Sequence, residues 1–416
     1  MGGVNIPSVD TGTRPGGNAD AVASNTADLL WASCRPAPDL GAADTARAGG
    51  ADLDWAAQVC VAQRLSPLLW RVVQGWGTEG DQWPDRLRDD TLRCKAQSLM
   101  VRPRLRSALL EPLAAAGVET MLIKGAALAD RYPEPGLRPM DDVDVLVRSD
   151  QHRDAVDALH RAGWRATRRQ GPEYSASLAH PSMPGLPVDL HRELAVPSEA
   201  VFRFAASDLW EASRTVSVFG APTSVPSPEV ELLLLATHAG KPYHNFDRLL
   251  WAVDAAVIID AAARDGHPID WDVLAGLTHR AAARSALAVL LTQAGRLGAA
   301  SPAGLRHVAA TGARRRALEP PLSQTWPLER MNQAARDRLT YAVIDDPRLR
   351  VRRLGYEIVE GGALRAPGRA AVLTFRILRR IWRFRRGTPH ATPPPPGGSA
   401  EQRDEQVDPV VGDREP

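Results

Sequence analysis

The sequence predicts an α+β chain: a small mixed β-sheet with helices on its N-terminal side and a helical bundle on its C-terminal side. Three observations predict it. Asp142 to Val147 reads Asp-Val-Asp-Val-Leu-Val, an alternation that a strand turns into one polar and one apolar face. Val118 to Ile123 is an apolar run cut off by Lys124-Gly125, followed by helix-forming residues from Ala126 to Tyr132, so strand, turn and helix precede the alternating strand. Apolar residues recur at helical spacing on both sides of this stretch.

Taken in order, residues 1 to about 48 are rich in Gly, Ala, Asp, Ser, Thr and Pro and are expected to be mostly disordered, with Leu29-Leu30-Trp31 as a patch able to fold locally. Leu53 to Val73 carries Trp55, Val59, Ala62, Leu65, Leu69 and Val72 at helical spacing. Asp85 to Ala116 continues as helix, with interruptions expected near Pro103 and Pro112. Its last part puts Leu105, Leu109 and Leu113 on one face, and Gly117 reads as its C-cap. Beyond Val147, Asp150 to Ala162 reads as a helix ended by Gly163. Trp164 to Arg169, Ser175 to Ala179 and Leu186 to Leu190 read as strands, the last at an edge because of Pro187. The order β-α-β-α-β-β-β brings Asp189 beside Asp142 and Asp144.

Ser227-Pro228-Glu229 is a helix start with Ser as N-cap and Pro at the first helical position. Phe246 to Ala263, a helix beginning near Asp270 and Ser285 to Leu297 complete a bundle. Arg314 to Arg316 reads as a solvated face. Arg369 to Arg386 holds seven arginines and no acid around a stripe of Val372, Phe375, Leu378 and Trp382, a basic amphipathic helix. It reads as a terminal helix docked on the bundle, with peripheral contact to anionic lipid or an acidic partner as the alternative. The expected divisions are therefore 1–48, 49–117, 118–222 for the sheet core, 223–340 for the helical domain, 341–386 with the basic helix, and a disordered tail over 387–416.

Composition narrows the function. A net charge of +2 and 5% aromatic residues provide no basic, aromatic-rich track, which disfavours nucleic acid as a partner. Cys34, Cys60 and Cys94 show neither disulfide nor zinc-ligand spacing and read as free thiols of a reducing compartment. With no apolar run long enough to span a membrane and no leader pattern, the expected location is cytoplasmic.

The chemistry gathers in Lys124 to Asp144. Asp142 and Asp144 share a strand face and repel one another unless a cation sits between them, and hard divalent ions such as Mg²⁺ prefer carboxylate oxygen. Glycine lets a backbone approach a ligand closely, and a helix N-terminus favours phosphate. Lys124-Gly125, Arg138-Pro139-Met140, Asp142 to Val147 and, further on, Val188-Asp189-Leu190-His191 resemble the DNA polymerase β-type nucleotidyltransferase superfamily. More narrowly, together with His238 to His244, Leu249-Leu250-Trp251 and Asp254, they resemble a bacterial nucleotidyltransferase family group, over roughly residues 50 to 300. The resemblance implies a Mg²⁺-dependent transferase. Asp142, Asp144 and Asp189 would be its metal and catalytic residues, and Lys124, Gly125, Ala126 and Arg138 would lie at the phosphates. The partners it implies are an NTP and a small-molecule or protein acceptor. Ala126 stands where the wider superfamily has Ser, so a hydroxyl contact to phosphate is missing, which keeps a catalytically silent nucleotide-binding or scaffold protein as the alternative. His191 reads either as a site residue or as a strand-end polar residue. His238 and His244, six apart with Gly240 and Pro242 interrupting the helix, line the cleft or make structural hydrogen bonds.

Overall fold

The computed structural model of the chain describes residues 16–76, 84–167, 175–195, 201–242, 244–307, 310–323, 325–326, 328 and 331–360. Seven strands form one mixed sheet: β1 Thr120–Leu122, β2 Val143–Val147, β3 Arg165–Ala166, β4 Ser175–Ala179, β5 Val188–His191, β6 Ser213–Val218 and β7 Ala221–Pro226, in the order β3-β4-β5-β2-β1-β7-β6. β2 lies in the middle, antiparallel to β1 and parallel to β5. The alternation read from its sequence sorts its side chains between two cores. Val143, Val145 and Val147 join Leu122, Val188, Leu190 and Val225 under one face, and Leu146 joins Met121 and Ile123 under the other.

Two strand expectations change. β5 is an interior strand between β4 and β2, with no edge character. Pro187 is tolerated because pairing by N–H begins after it; only its carbonyl is used, accepting from the Val143 N–H at 2.9 Å. The β6–β7 hairpin was not anticipated. It turns through Phe219 (φ 53°) and Gly220 (φ 76°), two left-handed residues whose twist suits a two-residue hairpin. β7 pairs with β1, so the sheet core runs to Pro226 and past the expected boundary at residue 222.

The N-terminal helices are α1 Gly16–Ser33, α2 Leu40–Ala48, α3 Leu53–Gln63, α4 Ser66–Val73, α5 Asp85–Leu105 and α6 Glu111–Ala115. The expectation of disorder up to residue 48 is thus corrected from Gly16 onward. Large apolar residues are few in this segment, but Ala27, Leu29, Leu30, Trp31 and Cys34 fall together and are buried, and Trp31 stacks at 5.8 Å on Trp326 of the C-terminal part. The helix expected over Leu53 to Val73 breaks at Arg64, which is left-handed at φ 62°. Conversely, α5 runs through Pro103. A π-helical turn over Arg106–Leu110, with wider hydrogen bonding, takes up the irregularity before α6 starts at Glu111-Pro112.

Around the sheet lie α7 Lys124–Leu128, α8 His152–Arg161 and α9 Ala206–Glu211. The bundle follows with α10 Pro228–Ala239, α11 Leu249–Arg264, α12 Trp271–Arg280 and α13 Arg284–Arg296, then α14 Ala303–Arg306, α15 Gly312–Leu318, α16 Gln333–Val343 and α17 Pro347–Glu360. The Ser227 hydroxyl caps α10 by accepting from the Val230 N–H, as its sequence indicates. One apolar core contains residues of α1 to α5 together with α10, α11, α13 and α16, so both chain ends build a single helical body beside the sheet. Arg314 is no solvated residue: it pairs with Asp345 and donates to Ser285 Oγ at 2.8 Å and the Ala342 carbonyl at 2.9 Å. The three cysteines are free and buried. Among the described residues no helix is long and apolar enough to cross a membrane. The basic segment Arg369 to Arg386 and the tail 387–416 lie outside the described residues.

Candidate functional site

Parallel pairing of β2 with β5 sets the register of the carboxylates. Asp144 lies directly beside Asp189, and Leu146 beside His191. Side chains two apart share a face, so Asp144, Asp189 and His191 converge. One ligating atom from each lies within 4.8 Å of the others. Asp144 is 6% exposed, and its Oδ1 accepts from Lys124 Nζ at 2.6 Å and lies 2.8 Å from His191 Nε2. Burial alone would favour a neutral carboxyl, but the Lys124 ammonium and the His191 hydrogen bond outweigh it and hold Asp144 ionised, far below the usual carboxylate range. Asp142 precedes β2 on the same face. Its carboxyl is pushed up to about 6 by burial and by the neighbouring charge of Asp144, with Lys124 partly offsetting both. Buried like charges of this kind are what a cation relieves.

Lys124 reaches Asp144 from an uncommon backbone state, φ 55° for a residue with a side chain. The next residue, Gly125, makes room for a distant side chain. A Cβ at Gly125 would come within 2.9 Å of Arg138 Nη2, so the guanidinium lies against the bare backbone. Ala126 is 1% exposed, packed in the core under the sheet. α7 itself is only five residues long, shorter than the helix expected over Ala126 to Tyr132.

Arg138 is engaged by Asp254. Its Nε and Nη2 donate to the two carboxylate oxygens of Asp254 on α11 at 2.8 and 3.0 Å, its Nη1 donates to the Pro139 carbonyl, and the Tyr132 hydroxyl donates to Asp254 at 2.6 Å. Asp254 is a buried carboxylate in an apolar helix and needs such a partner. Two further anchors hold the loop leading to Asp142: Gln97 Nε2 on α5 donates to the Met140 carbonyl at 3.3 Å, and Arg64 pairs with Asp141. Neither Arg64 nor Gln97 carries a sequence signal, since both sit among ordinary polar helix residues. The loop that delivers the first carboxylate is therefore pinned by α11, α5 and the α3–α4 junction together.

His238 and His244 come together although they are six residues apart. α10 ends at Ala239, the chain doubles back, and the rings stack with centroids 4.4 Å apart. Both rings feel the charge of Lys124, whose ammonium is on Asp144.

Among known proteins, no curated protein matches the chain. A solution structure of the antibiotic-resistance factor ANT(2'')-Ia is similar over 96% of its own length and 43% of this chain, at 14% identity and a TM-score of 0.28, a likeness too loose to bear on substrate or mechanism. The family model described as "Uncharacterised nucleotidyltransferase" matches residues 49–298, which spans α3 to α13 and includes every residue of the site above. The chain therefore belongs to the uncharacterised nucleotidyltransferase family, and it is an enzyme whose class of chemistry is the transfer of a nucleotidyl group.

Proposed function

We propose that the protein is a Mg²⁺-dependent nucleotidyltransferase that moves an NMP from an NTP to a hydroxyl of a small molecule or a protein, releasing pyrophosphate. The observation that carries this reading is the side-by-side register of Asp144 and Asp189, with Asp142 on the same face and Lys124 against Asp144. The donor set fits a hard divalent ion: Asp144 and Asp189 offer carboxylate oxygens close to one another and to His191, and Asp142, whose carboxyl is raised by burial and then by the charge of Asp144, offers a third. Those three carboxylates would hold Mg²⁺, which supplies charge neutralisation at the triphosphate.

The chain's own residues do the rest. His191 and Lys124 fix Asp144 in one rotamer and keep it ionised. Asp189 would accept the proton of the acceptor hydroxyl as its oxygen bonds to the α-phosphorus. The bond from that phosphorus to the bridging oxygen breaks, and the electron pair leaves with pyrophosphate. Lys124 offers positive charge where that leaving group develops negative charge. Arg138, tied to Asp254, keeps the Asp142 loop in place and makes no phosphate contact in this scheme.

The test is calorimetric titration of the four common NTPs with and without Mg²⁺, on the wild type and on Asp142→Ala/Asp144→Ala. Metal-dependent binding that disappears in the variant supports the reading. A folded wild type that binds no NTP overturns it.

A further inference from the structure

We infer that His191 is a metal ligand: with Asp144 and Asp189 it builds a position for a divalent transition ion, separate from the ion that arrives with the triphosphate. The inference deepens the transferase reading and rests on it for the presence of metal at this site; the position itself follows from the sheet.

The three donors stand on paired strands inside the sheet. β5 is hydrogen-bonded on both sides: to β2, with Asp189 beside Asp144, and to β4, with Asp189 opposite Ser177 and His191 opposite Ser175. Pairing on both sides fixes the backbone under His191, and donors carried on strands keep their spacing better than donors on loops. The imidazole brings Nε2 to the carboxylate face, 2.8 Å from Asp144 Oδ1, with its side chain only 13% exposed. One ligating atom each from Asp144, Asp189 and His191 lies within 4.8 Å of the others. Donors at about 2.1 Å from one octahedral ion stand about 3 to 4 Å apart, so small side-chain rotations bring all three onto one ion while the strands stay as they are. Among the described residues, Asp142 is not one of this set. Asp144 is therefore shared, with Asp142 toward the ion of the triphosphate and with Asp189 and His191 toward the second position.

Orienting Asp144 does not by itself call for an imidazole. The Lys124 ammonium already makes a charge-assisted bond of 2.6 Å to the same oxygen. What His191 adds is a nitrogen lone pair. Without an ion, Nε2–H donates to the ionised Asp144; in the Nδ1–H tautomer the same Nε2 is free to ligate. Mg²⁺ selects oxygen donors and keeps several waters, whereas imidazole suits first-row transition ions. Two carboxylates and one imidazole on one face form a donor set of the second kind. Three protein ligands on one side leave the other side of the ion open, where an acceptor hydroxyl would find a Lewis acid.

The experiment titrates the full chain with Mn²⁺ alone, nucleotide absent. Electron paramagnetic resonance reads the bound ion, and the ¹⁴N hyperfine coupling reads nitrogen bonded directly to it. Mg²⁺ is then titrated as the competitor. The wild type is compared with His191→Gln, whose amide keeps a donor toward Asp144 but lacks the ring nitrogen, after a check for a wild-type thermal transition. The expected wild-type result is Mn²⁺ bound about tenfold or more tighter than Mg²⁺, with a nitrogen coupling. In His191→Gln the coupling is lost and Mn²⁺ binds about tenfold or more weaker, while Mg²⁺ stays within about twofold of wild type. The coupling is read on the wild type by itself, so a misfolded variant does not remove the test. A wild type that binds no Mn²⁺, or binds it without nitrogen coupling, overturns the inference. So does a coupling that persists in His191→Gln, and so does an equal loss of both ions, which would leave His191 as an orienting group for Asp144. Failure of the transferase reading looks different: Mn²⁺ would bind through His191, while no NTP would bind in the presence of Mg²⁺.

Discussion

Replacing Arg138 by Met isolates the contact that ties the carboxylate loop to the helical body. Arg138 is 11% exposed at its side chain and Asp254 is 2% exposed, so both charges are out of water and each depends on the other. Burial disfavours the charged guanidinium, yet Asp254 more than compensates and raises its pKa. Removing Arg138 leaves Asp254 with a hydrogen bond from the Tyr132 hydroxyl. Breaking one side of a buried, hydrogen-bonded pair costs about 3–5 kcal/mol, because the surviving charge is left unsatisfied. In a chain of this size that is a fall of roughly 2 °C per kcal/mol, or roughly 6–10 °C in the melting temperature. Differential scanning fluorimetry measures it directly, and urea denaturation checks that the slope of the transition is unchanged. The double variant Arg138→Met/Asp254→Leu removes both charges and is expected to recover about half of the loss or more, since the penalty lies in the orphaned carboxylate. A single variant melting within about 1 °C of wild type, or a double variant no better than the single, would refute the assignment of Arg138 to this anchoring role.

Asp144→Asn removes the carboxylate that Lys124 and His191 both address; transfer, followed as pyrophosphate release, is expected to fall by about 100-fold or more, in line with the several kcal/mol that charge organisation at a metal site contributes. Wild-type turnover in that variant would take Asp144 out of the chemistry. Leu30 is fully buried in α1, so Leu30→Ala is expected to cost about 2–5 kcal/mol by chemical denaturation, whereas an unstructured N-terminal segment would make it silent. Acid should loosen the helical body through the imidazole pair. Burial and the surrounding cations lower the His244 pKa from 6.5 to about 4, and His238 moves the same way. A ring that binds its proton less readily when folded stabilises the fold above its unfolded pKa and loses that stabilisation as pH falls. The loss runs from about pH 6.5 down to about 4, up to about 3 kcal/mol for His244 at most, reduced by its partial exposure to water. Stability measured in urea from pH 7.5 to 4 should decline over that window more in wild type than in His244→Gln; equal pH profiles would contradict the assignment.

The parts of the fold legible in the sequence are those where one local rule decides. The alternation in 142–147 forces Asp144 and the valines to opposite faces whatever the neighbours do, and pairing with β5 confirms the side chosen. Ser227-Pro228 fixes a helix start within a turn of chain. What stayed hidden depends on partners far away in sequence. α1 is a weak helix on its own composition and is folded by packing on α2, α3 and α4 and by Trp31 against Trp326, far along the chain. β6 is half-exposed and β7 carries Pro222 and Pro226, and they pass for loop until β1 offers β7 an edge. Arg138 was read toward phosphate from the family resemblance of its motif; its pairing with Asp254, more than a hundred residues away, is a fact of packing. For the same reason Arg64 and Gln97 escaped notice, although they hold the same loop.

The site's charges explain why its lysine occupies a strained backbone. Asp142, Asp144 and Asp189 gather negative charge where β2 and β5 run side by side, and Lys124 balances part of it through Asp144. In the proposed reaction a triphosphate would bring its metal ion to the carboxylates and anionic oxygens to Lys124, which would then have phosphate oxygens available in place of Asp144. A ligand with only one of the two charges would satisfy one of these groups and leave the other as it was. Binding at this site should therefore be cooperative between metal and polyphosphate, and a fold that pins the carboxylate loop by Arg64, Gln97 and Arg138 keeps the carboxylates in place so that the coupling is not dissipated in loop motion.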